Sequence, residues 1–168
     1  MQINVSQLLQ EPIGSTREYD IDEAADIIGD GKEHRVRGEC DLMRTRRGIL
    51  VKCALETEAE LSCGRCLNRF TTPLKIKFEE EFLPTIDVTS GVPLPQEDTG
   101  AFMIDEHHIL DLTEPARQYA LMAVPMKPLC RPNCAGLCPK CGQNLNSKDC
   151  DCLTEEIDPR WSALTKLQ

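Results

Sequence analysis

The cysteines are the residues of this sequence whose type and spacing could do chemistry. Ten of the 168 residues are cysteine, and six of them lie in the stretch CRPNCAGLCPKCGQNLNSKDCDC, residues 130–152. These six form three close pairs, which are Cys130 with Cys134, Cys138 with Cys141, and Cys150 with Cys152. Cysteine at this density indicates a disulfide framework in an oxidising compartment and a metal site in a reducing one.

The rest of the chain favours the reducing compartment. The N-terminal stretch MQINVSQLLQ lacks the basic start and the apolar run of a secretory signal. No stretch approaches the roughly 18 consecutive apolar residues that a membrane helix needs. We therefore predict a cytoplasmic protein without a membrane segment. In such a protein, close cysteine pairs are metal ligands or a redox pair rather than structural disulfides.

Alternation of apolar and polar residues predicts three consecutive strands over 34–43, 49–63 and 70–78. The turn between the first two strands carries three arginines and ends in Gly48, which suits a hairpin. Pro73 predicts that the third strand lies at the edge of its sheet, because proline cannot donate a ladder hydrogen bond. Three strands in this succession predict an antiparallel meander.

The same periodicity divides the ten cysteines into two classes. Cys40 and Cys53 fall on the apolar side of their strands, so we predict that they are core residues and not ligands. Cys63 and Cys66 occupy the turn between the second and third strands, where the CxxC spacing points both sulfurs to one side. Together with the six cysteines of the tail they make eight candidate ligands, which is two complete sets of four.

The predicted cofactor is zinc, as one or two ions. One predicted site joins the Cys63/Cys66 turn to Cys130 and Cys134. The other predicted site consists of Cys138, Cys141, Cys150 and Cys152. Two alternatives stay open on the sequence alone: an iron–sulfur cluster on the same thiolates, or a single zinc ion bound by Cys130, Cys134, Cys138 and Cys141.

Downstream of the sheet, the segment 83–101 is rich in proline and glycine and predicts a long loop. Residues 101–112 predict one strand or a pair of short strands. A helix is predicted to follow, with Thr113 as its cap and with Pro125 at its end.

The predicted fold class is α+β. An antiparallel sheet with few short helices is expected over 1–125, and a cysteine-rich, zinc-binding tail is expected over 126–168. Asp158 and Pro159 are typical of a helix start, so the tail is predicted to end in a short helix that packs Trp161 against the sheet domain.

The formal net charge of −9 argues against a nucleic-acid partner, but the basic residues are unevenly distributed. Residues 31–77 hold eleven basic and six acidic residues, and residues 127–148 hold four basic and no acidic residue. Such blocks are either solvated faces of an acidic protein or a contact surface for RNA or a protein partner. The basic residues that would make this contact are Arg44, Arg46, Arg47, Arg65, Arg69, Lys75, Lys77, Lys127, Arg131, Lys140 and Lys148.

An ordered set of motifs resembles the YceD family, the bacterial and plastid large ribosomal RNA subunit accumulation proteins. The set comprises CGRC at 63–66, CAGLCPKCG at 134–142, NLN at 144–146, CDC at 150–152 and IDPRWSAL at 157–164. The resemblance implies a cytoplasmic factor that is needed for normal levels of large-subunit ribosomal RNA, and hence for assembly of that subunit. It implies no enzymatic activity.

We therefore expect a non-enzymatic assembly factor whose zinc-stabilised tail and basic hairpins contact pre-ribosomal large-subunit RNA or a ribosomal protein. Alternatively, the acidic remainder binds a basic ribosomal protein and keeps it soluble. A thiol–disulfide redox protein is a further alternative, although the βαβ unit that usually accompanies a reactive CxxC is not evident. Neither a glycine-rich phosphate loop nor a catalytic triad points to a small-molecule substrate.

Overall fold

β-Strands make up most of the regular secondary structure in the described residues, and four long ones follow one another along the chain. The computed structural model describes residues 1–95, 100–152 and 160. In these residues the strands pair in one sheet of order β1-β7-β6-β5-β4-β3-β2. The elements are β1 (Gln2–Asn4), α1 (Ser6–Gln10), β2 (Thr16–Ala25), β3 (His34–Arg44), β4 (Ile49–Ser62), β5 (Arg69–Pro84), β6 (Phe102–Ile104), β7 (Ile109–Asp111) and α2 (Thr113–Ala123).

The predicted meander is present and is one strand longer than expected. β2 to β5 are neighbours in chain order, and the β2–β3 and β3–β4 pairs are antiparallel. Burial follows the alternation in the sequence, since every second residue of β4 from Ile49 to Ala59 is buried and most of the intervening ones are exposed. β2 was not predicted, because its residues are mostly exposed and its apolar alternation is weak.

The prediction of an antiparallel sheet is only partly right, because the sheet is mixed. β5 and β6 are parallel, with Phe82 opposite Phe102 and Pro84 opposite Ile104. A parallel neighbour needs a connection that crosses over, and residues 85–101 provide the length for it. β6 borders β5 at Phe82, Leu83 and Pro84 and not at the part of the strand that contains Pro73, so this pairing leaves the prediction of an edge position for Pro73 standing.

The core lies on the buried face of the sheet and beneath the two helices. α1 contributes Leu8 and Leu9, and α2 contributes Ala116 and Ala120. The strands contribute several of the largest fully buried side chains, among them Phe82, Leu42, Ile49, Leu55, Ile76, Ile104 and Leu110. Burial of each large apolar side chain contributes about 1.5–3 kcal/mol, so this face dominates the stability of the sheet.

The start of α2 differs in detail from the prediction. Thr113 is already helical and Leu112 occupies the cap position. The carboxylate of Asp111 accepts the Thr113 N–H at 2.8 Å and so satisfies one of the free donors of the first turn. Farther along the helix, the ring of Tyr119 stacks on the ring of Phe78, with centroids 5.2 Å apart.

Cys40 and Cys53 form a disulfide, a bond that their placement in the core did not predict. Both side chains are buried, as predicted. They stand directly opposite each other in the β3–β4 register, with their Cα atoms 4.2 Å apart. Periodicity assigns each residue to a face, but only the register of the two strands shows that the residues are partners.

The described chain divides into two compact units. The first unit comprises Met1–Leu61 and Phe70–Pro128, and the second comprises Ser62–Arg69 and Leu129–Gln168. The β4–β5 turn thus belongs with the cysteine-rich tail. The helix predicted around Trp161 lies outside the described residues. None of the described helices is long and apolar enough to cross a membrane.

The β3–β4 turn packs tightly at Gly48. Thr45 closes the turn, because its N–H donates to the Gly48 carbonyl at 3.0 Å and its Oγ1 accepts the Gly48 N–H at 2.9 Å. A Cβ atom at residue 48 would lie 1.9 Å from the carbonyl oxygen of Phe82.

Gly48→Ala is therefore expected to lower the free energy of unfolding by about 1–3 kcal/mol, because β5 backbone has to move away. Gly100→Ala is the matched control, since a Cβ atom there meets nothing within 4 Å. Urea unfolding of both variants measures the difference. Equal stability of the two variants would contradict the tight packing at Gly48.

Candidate metal centres

Two turns of the second unit have the same construction around a CxxC pair. In the first, the Leu67 N–H donates to the Cys63 carbonyl at 2.9 Å; in the second, the Gly142 N–H donates to the Cys138 carbonyl at 2.9 Å. The residue after each pair has a left-handed backbone, with φ of 59° at Leu67 and 73° at Gly142. Gly142 is readable from the sequence as a turn residue, whereas Leu67 gives no such signal because leucine rarely adopts this conformation.

The first thiol group consists of Cys63, Cys66, Cys130 and Cys134, whose sulfurs all lie within 4.8 Å of one another. The Cys63 and Cys134 sulfurs are 3.8 Å apart, and the Cys66 and Cys130 sulfurs are 3.7 Å apart. A tetrahedral ion with metal–sulfur bonds of about 2.3 Å has sulfur–sulfur edges of about 3.8 Å. The first thiol group therefore has the dimensions to hold one ion.

The second thiol group consists of Cys138, Cys141, Cys150 and Cys152, with sulfurs again within 4.8 Å of one another. Cys138 is buried and Cys141 is exposed, while Cys150 and Cys152 are half-buried. The two groups contain the same residues as the two predicted sites. The alternative grouping of Cys130, Cys134, Cys138 and Cys141 around one ion does not match this arrangement.

The thiols of the first thiol group differ in pKa because backbone N–H groups and neighbouring thiols surround them unequally. The N–H groups of Cys130 and Cys66 point at the Cys63 sulfur and lower the pKa of Cys63 to about 6. Burial and the surrounding cysteine side chains raise the pKa of Cys130 to about 12. Hydrogen bonds to the charged form favour the thiolate, whereas burial and like charges oppose it.

The second thiol group repeats this division. The N–H groups of Cys141 and Lys140 lower the pKa of Cys138 to about 6. The side chain of Cys141, followed by burial, raises the pKa of Cys152 to about 12. Each group thus contains at least one sulfur whose thiolate form is favoured, and a metal ion would displace the protons that remain on the others.

Asn146 supports the first thiol group from a loop that belongs to the second. Its Nδ2 donates to the Cys134 sulfur at 3.3 Å, and its Oδ1 accepts the Ala135 N–H at 2.9 Å. Arg131 also donates to Asn146 Oδ1, and Asn144 Oδ1 accepts the Asn146 N–H at 2.9 Å. Asn146 follows Cys141 and precedes Cys150 in the chain, so the loop closed by the second thiol group positions a hydrogen bond to the first. In the sequence, Asn146 belongs to the NLN motif at 144–146, which does not by itself predict this hydrogen bond.

Arg65 joins the two segments of the second unit. Its carbonyl accepts the Leu137 N–H at 3.2 Å, and its guanidinium donates to the Cys134 carbonyl at 2.9 Å. Gly136 lies against it, because a Cβ atom at residue 136 would be 3.2 Å from the Arg65 carbonyl oxygen. Arg65 was predicted as an RNA or partner contact, and the structure shows that it holds the tail to the CxxC turn.

The predicted contact residues are divided between the two units. The second unit contains Arg65, Arg69, Arg131, Lys140 and Lys148, and the first contains Arg44, Arg46, Arg47, Lys75, Lys77 and Lys127. Lys75 forms an ion pair with Glu56 at 3.4 Å, and Arg47 forms one with Glu81 at 4.0 Å. The side chains of Arg46, Arg69, Lys77, Lys127, Lys140 and Lys148 are exposed.

Comparison with known proteins identifies the family. Residues 51–168 match the family described as large ribosomal RNA subunit accumulation protein YceD. The chain belongs to the YceD family. The matched region includes both thiol groups and confirms the resemblance found in the sequence.

Individual relatives extend this comparison. The chain is 32% identical over 120 residues to the uncharacterized protein Rv2926c of Mycobacterium tuberculosis, covering 71% of this chain and 56% of that protein. It is 34% identical over 59 residues to "Large ribosomal RNA subunit accumulation protein YCED homolog 1, chloroplastic" of Arabidopsis thaliana, covering 35% of this chain and 18% of that protein. The chain thus spans little more than half the length of the mycobacterial relative. No solved structure matches the chain.

The two thiol groups predict a metal and thiol count. Purified protein should contain two equivalents of metal per chain, one for each group. After chelation and denaturation without reductant, eight thiols should react, and ten should react after reduction of the Cys40–Cys53 disulfide. Elemental analysis and thiol titration measure both counts. One metal equivalent, or ten reactive thiols without reductant, would contradict the arrangement.

Asn146→Ala should weaken metal retention in the first thiol group by about 10–100-fold, the usual effect of removing a hydrogen bond to a metal ligand. Asn133→Ala is the control, because Asn133 is exposed on the loop between Cys130 and Cys134. The measurement is the rate at which a coloured chelator extracts metal from each variant. We expect one of two extraction phases to accelerate in Asn146→Ala only; identical traces for the two variants would count against the role of Asn146.

Proposed function

We propose that this protein is a non-enzymatic factor for the accumulation of large-subunit ribosomal RNA, and thus for assembly of the large ribosomal subunit in the cytoplasm. The family match over residues 51–168 supports this proposal, as does the name of the Arabidopsis relative, a large ribosomal RNA subunit accumulation protein. The second unit serves as a metal-stabilised platform in this activity, and the first unit serves as its sheet scaffold.

The buried interior of the second unit supports a structural role for the metal. Among its described residues, the buried side chains are Cys63, Cys66, Cys134 and Cys138. A unit this small has too little apolar surface to fold on its own, and metal binding to cysteine supplies the missing free energy. Each thiol group therefore acts as a closed structural site.

Zinc is the ion that fits these sites best. Four thiolates in a tetrahedron are the usual donor set of structural zinc, and a site with four protein ligands leaves no open position for a reacting water. An iron–sulfur cluster fits the first thiol group less well. Its cysteines bind two or more iron atoms, so sulfurs on different irons must stand further apart than the 4.8 Å within which all four sulfurs lie.

RNA is the partner that we propose for the basic residues. Residues 62–69 and 129–152 hold five basic and two acidic residues. Four thiolates and one divalent ion give each site a formal charge of about −2, which offsets this excess. Attraction for phosphate must therefore come from individually placed arginines and lysines and not from the mean charge of the second unit.

A second candidate function is the chaperoning of a basic ribosomal protein. Glu56, Glu58 and Glu60 lie exposed along one face of β4, and the whole chain carries a net charge of −9. A row of carboxylates at a spacing of two residues is suited to a lysine- or arginine-rich partner. Lys75 and Lys32 form ion pairs with Glu56 and Glu60, so a partner would have to displace them.

Depletion of the protein in its own host should lower the ratio of large-subunit to small-subunit ribosomal RNA, and the wild-type gene should restore that ratio. The double variant Cys138→Ser/Cys141→Ser should restore it poorly, because the second unit loses a metal and its fold. The measurement is quantitative RNA electrophoresis, with immunoblotting to compare protein levels. An unchanged ratio on depletion would refute the proposed function.

Binding measurements separate the two partners. Wild-type protein should bind large-subunit ribosomal RNA with an affinity that falls as salt is raised, because phosphate contacts release counterions. Binding to purified basic ribosomal proteins, measured over the same salt series, tests the chaperone alternative. Affinity for ribosomal proteins without affinity for RNA would favour the chaperone role.

A further inference from the structure

β2 forms an open edge of the sheet in the first unit. It pairs with β3 along all ten of its residues, and no strand pairs with its other side in the part of the chain that the structure describes. A strand in this position presents a row of backbone N–H and C=O groups that a further strand can bind. Ten residues is long for such a strand, since proteins usually keep their edge strands short.

The backbone groups that point to the open edge belong to the even-numbered residues of β2. Cys40 and Cys53 are directly opposite each other in the β3–β4 pair, and their Cα atoms are 4.2 Å apart, which is the spacing of a non-hydrogen-bonded pair. The N–H and C=O groups of Cys40 therefore point toward Tyr19 of β2. Since successive residues of a strand point in opposite directions, the N–H and C=O groups of Glu18 and Asp20 point to the open edge. Neither residue makes a backbone hydrogen bond outside the sheet among the described residues.

Two like-charge pairs lie beside the open edge. Glu18 is directly opposite Asp41, and Asp20 is directly opposite Glu39. All four side chains are exposed. Both pairs occupy non-hydrogen-bonded positions, where opposing side chains come closest, and like charges placed directly opposite each other destabilise a sheet. The fold therefore keeps a local repulsion that a bound cationic group would relieve.

The cations on the same face of β3 and β4 are paired with other carboxylates. Arg35 and Arg37 pair with Asp22 at 2.6 Å and 3.4 Å, and Lys52 pairs with Glu79 at 3.1 Å. The carboxylates of the two like-charge pairs form no ion pair in the described part of the chain. The lysines of β5 stand three strands from β2, which is about 14 Å at about 4.8 Å per strand and exceeds the screening length of about 8 Å at physiological salt.

The charge of the open edge selects its partner. A second copy of β2 would bring the same carboxylates against Glu18 and Asp20, and RNA would bring phosphates against them. A protein segment with lysine or arginine at every second position would instead place its cations beside these two carboxylates, because alternate side chains of a strand share one face. Its backbone would meanwhile bond to the open edge.

We propose that the open edge of β2 binds an extended, basic segment of a protein as an additional antiparallel strand. Backbone hydrogen bonds to Glu18, Asp20 and Asp22 supply affinity, and basic side chains at every second position contact the carboxylates of Glu18 and Asp20. The added strand is antiparallel because that pairing is the more stable per residue. This inference rests on the second candidate function, with a basic ribosomal protein as the partner, and it identifies the form in which the partner is bound and the strand that binds it.

Two N-methylated peptides test the addition of a strand. The parent probe is a fluorescent peptide of four Lys-Thr repeats, since threonine favours the extended conformation. In an antiparallel strand whose lysines lie beside Glu18 and Asp20, the lysine N–H groups face β2 and the threonine N–H groups face away. N-methylation of the lysine amides should therefore weaken binding by about tenfold or more, whereas N-methylation of the threonine amides should leave it nearly unchanged. Equal affinities of the two methylated peptides would overturn the proposal.

Two matched double variants test the role of charge. Glu18→Gln/Asp20→Asn removes two carboxylates at the open edge, and Glu33→Gln/Glu106→Gln removes two exposed carboxylates that lie outside the strands. The first variant should bind the parent peptide about tenfold more weakly, with a smaller dependence on salt, and the second should bind like wild type. Thermal unfolding should show that the first variant is no less stable than wild type, because it removes repulsion from both like-charge pairs.

Hydrogen exchange, followed by NMR, shows where the peptide binds. The parent peptide should slow exchange at the amides of Glu18, Asp20 and Asp22, which point to the open edge. Exchange at Tyr19 and Ile21 should change little, because their N–H groups already donate to β3. Slower exchange elsewhere, with none along β2, would overturn the proposal.

The outcomes distinguish failure of this inference from failure of the proposed function. Equal losses in the two charge variants would show an effect of net charge alone and overturn the open edge as the binding site. If the peptide does not bind but depletion of the protein lowers the ratio of large-subunit to small-subunit ribosomal RNA, this inference fails and the proposed function stands. If the peptide binds as expected but depletion leaves that ratio unchanged, the proposed function fails and the open edge stands as a site for basic segments.

Discussion

Sulfurs packed within 4.8 Å of one another cannot all be thiolates unless a cation lies among them, and both thiol groups are subject to this constraint. Without the ion, the negative charge is unequally shared: the pKa of Cys63 and of Cys138 is about 6, and that of Cys130 and of Cys152 is about 12. A bound ion removes this conflict. Since four of the eight cysteines make up the buried interior of the described second unit, metal binding there would be coupled to its folding.

The thiol groups also determine how distant parts of the chain come together. Cys63 and Cys134 are 71 residues apart, and Cys66 and Cys130 are 64 residues apart. Closing a loop of this length lowers the entropy of the chain, and the few local contacts of the tail are too weak to offset that loss. Arg65 and Asn146 then add hydrogen bonds that are possible only after the loop has closed. The first thiol group thus brings the distant segments of the second unit together, and the polar contacts refine their arrangement.

Two of the arginines predicted as partner contacts also hold backbone segments together in this protein. Arg65 holds the two segments of the second unit together, although the sequence presents it as one more basic residue of a charged turn. Arg44 holds the β3–β4 turn through the carbonyl oxygens of Leu9, Thr45 and Gly48. Each guanidinium offers several N–H donors in a fixed arrangement, which lets one side chain join several backbone carbonyls.

The sequence by itself determined the three central strands, the separation of Cys40 and Cys53 from the other eight cysteines, and the close cysteine pairs of which the two thiol groups consist. These features follow from the alternation of apolar and polar residues along a strand and from the spacing of neighbouring cysteines, and both are patterns among residues close in sequence. Only the tertiary structure decided that Cys40 and Cys53 are bonded, that β6 joins β5 in parallel, and that Asn146 reaches the Cys134 sulfur. Each of these depends on strand register or on contacts between residues distant in sequence, and a local pattern contains no information about either.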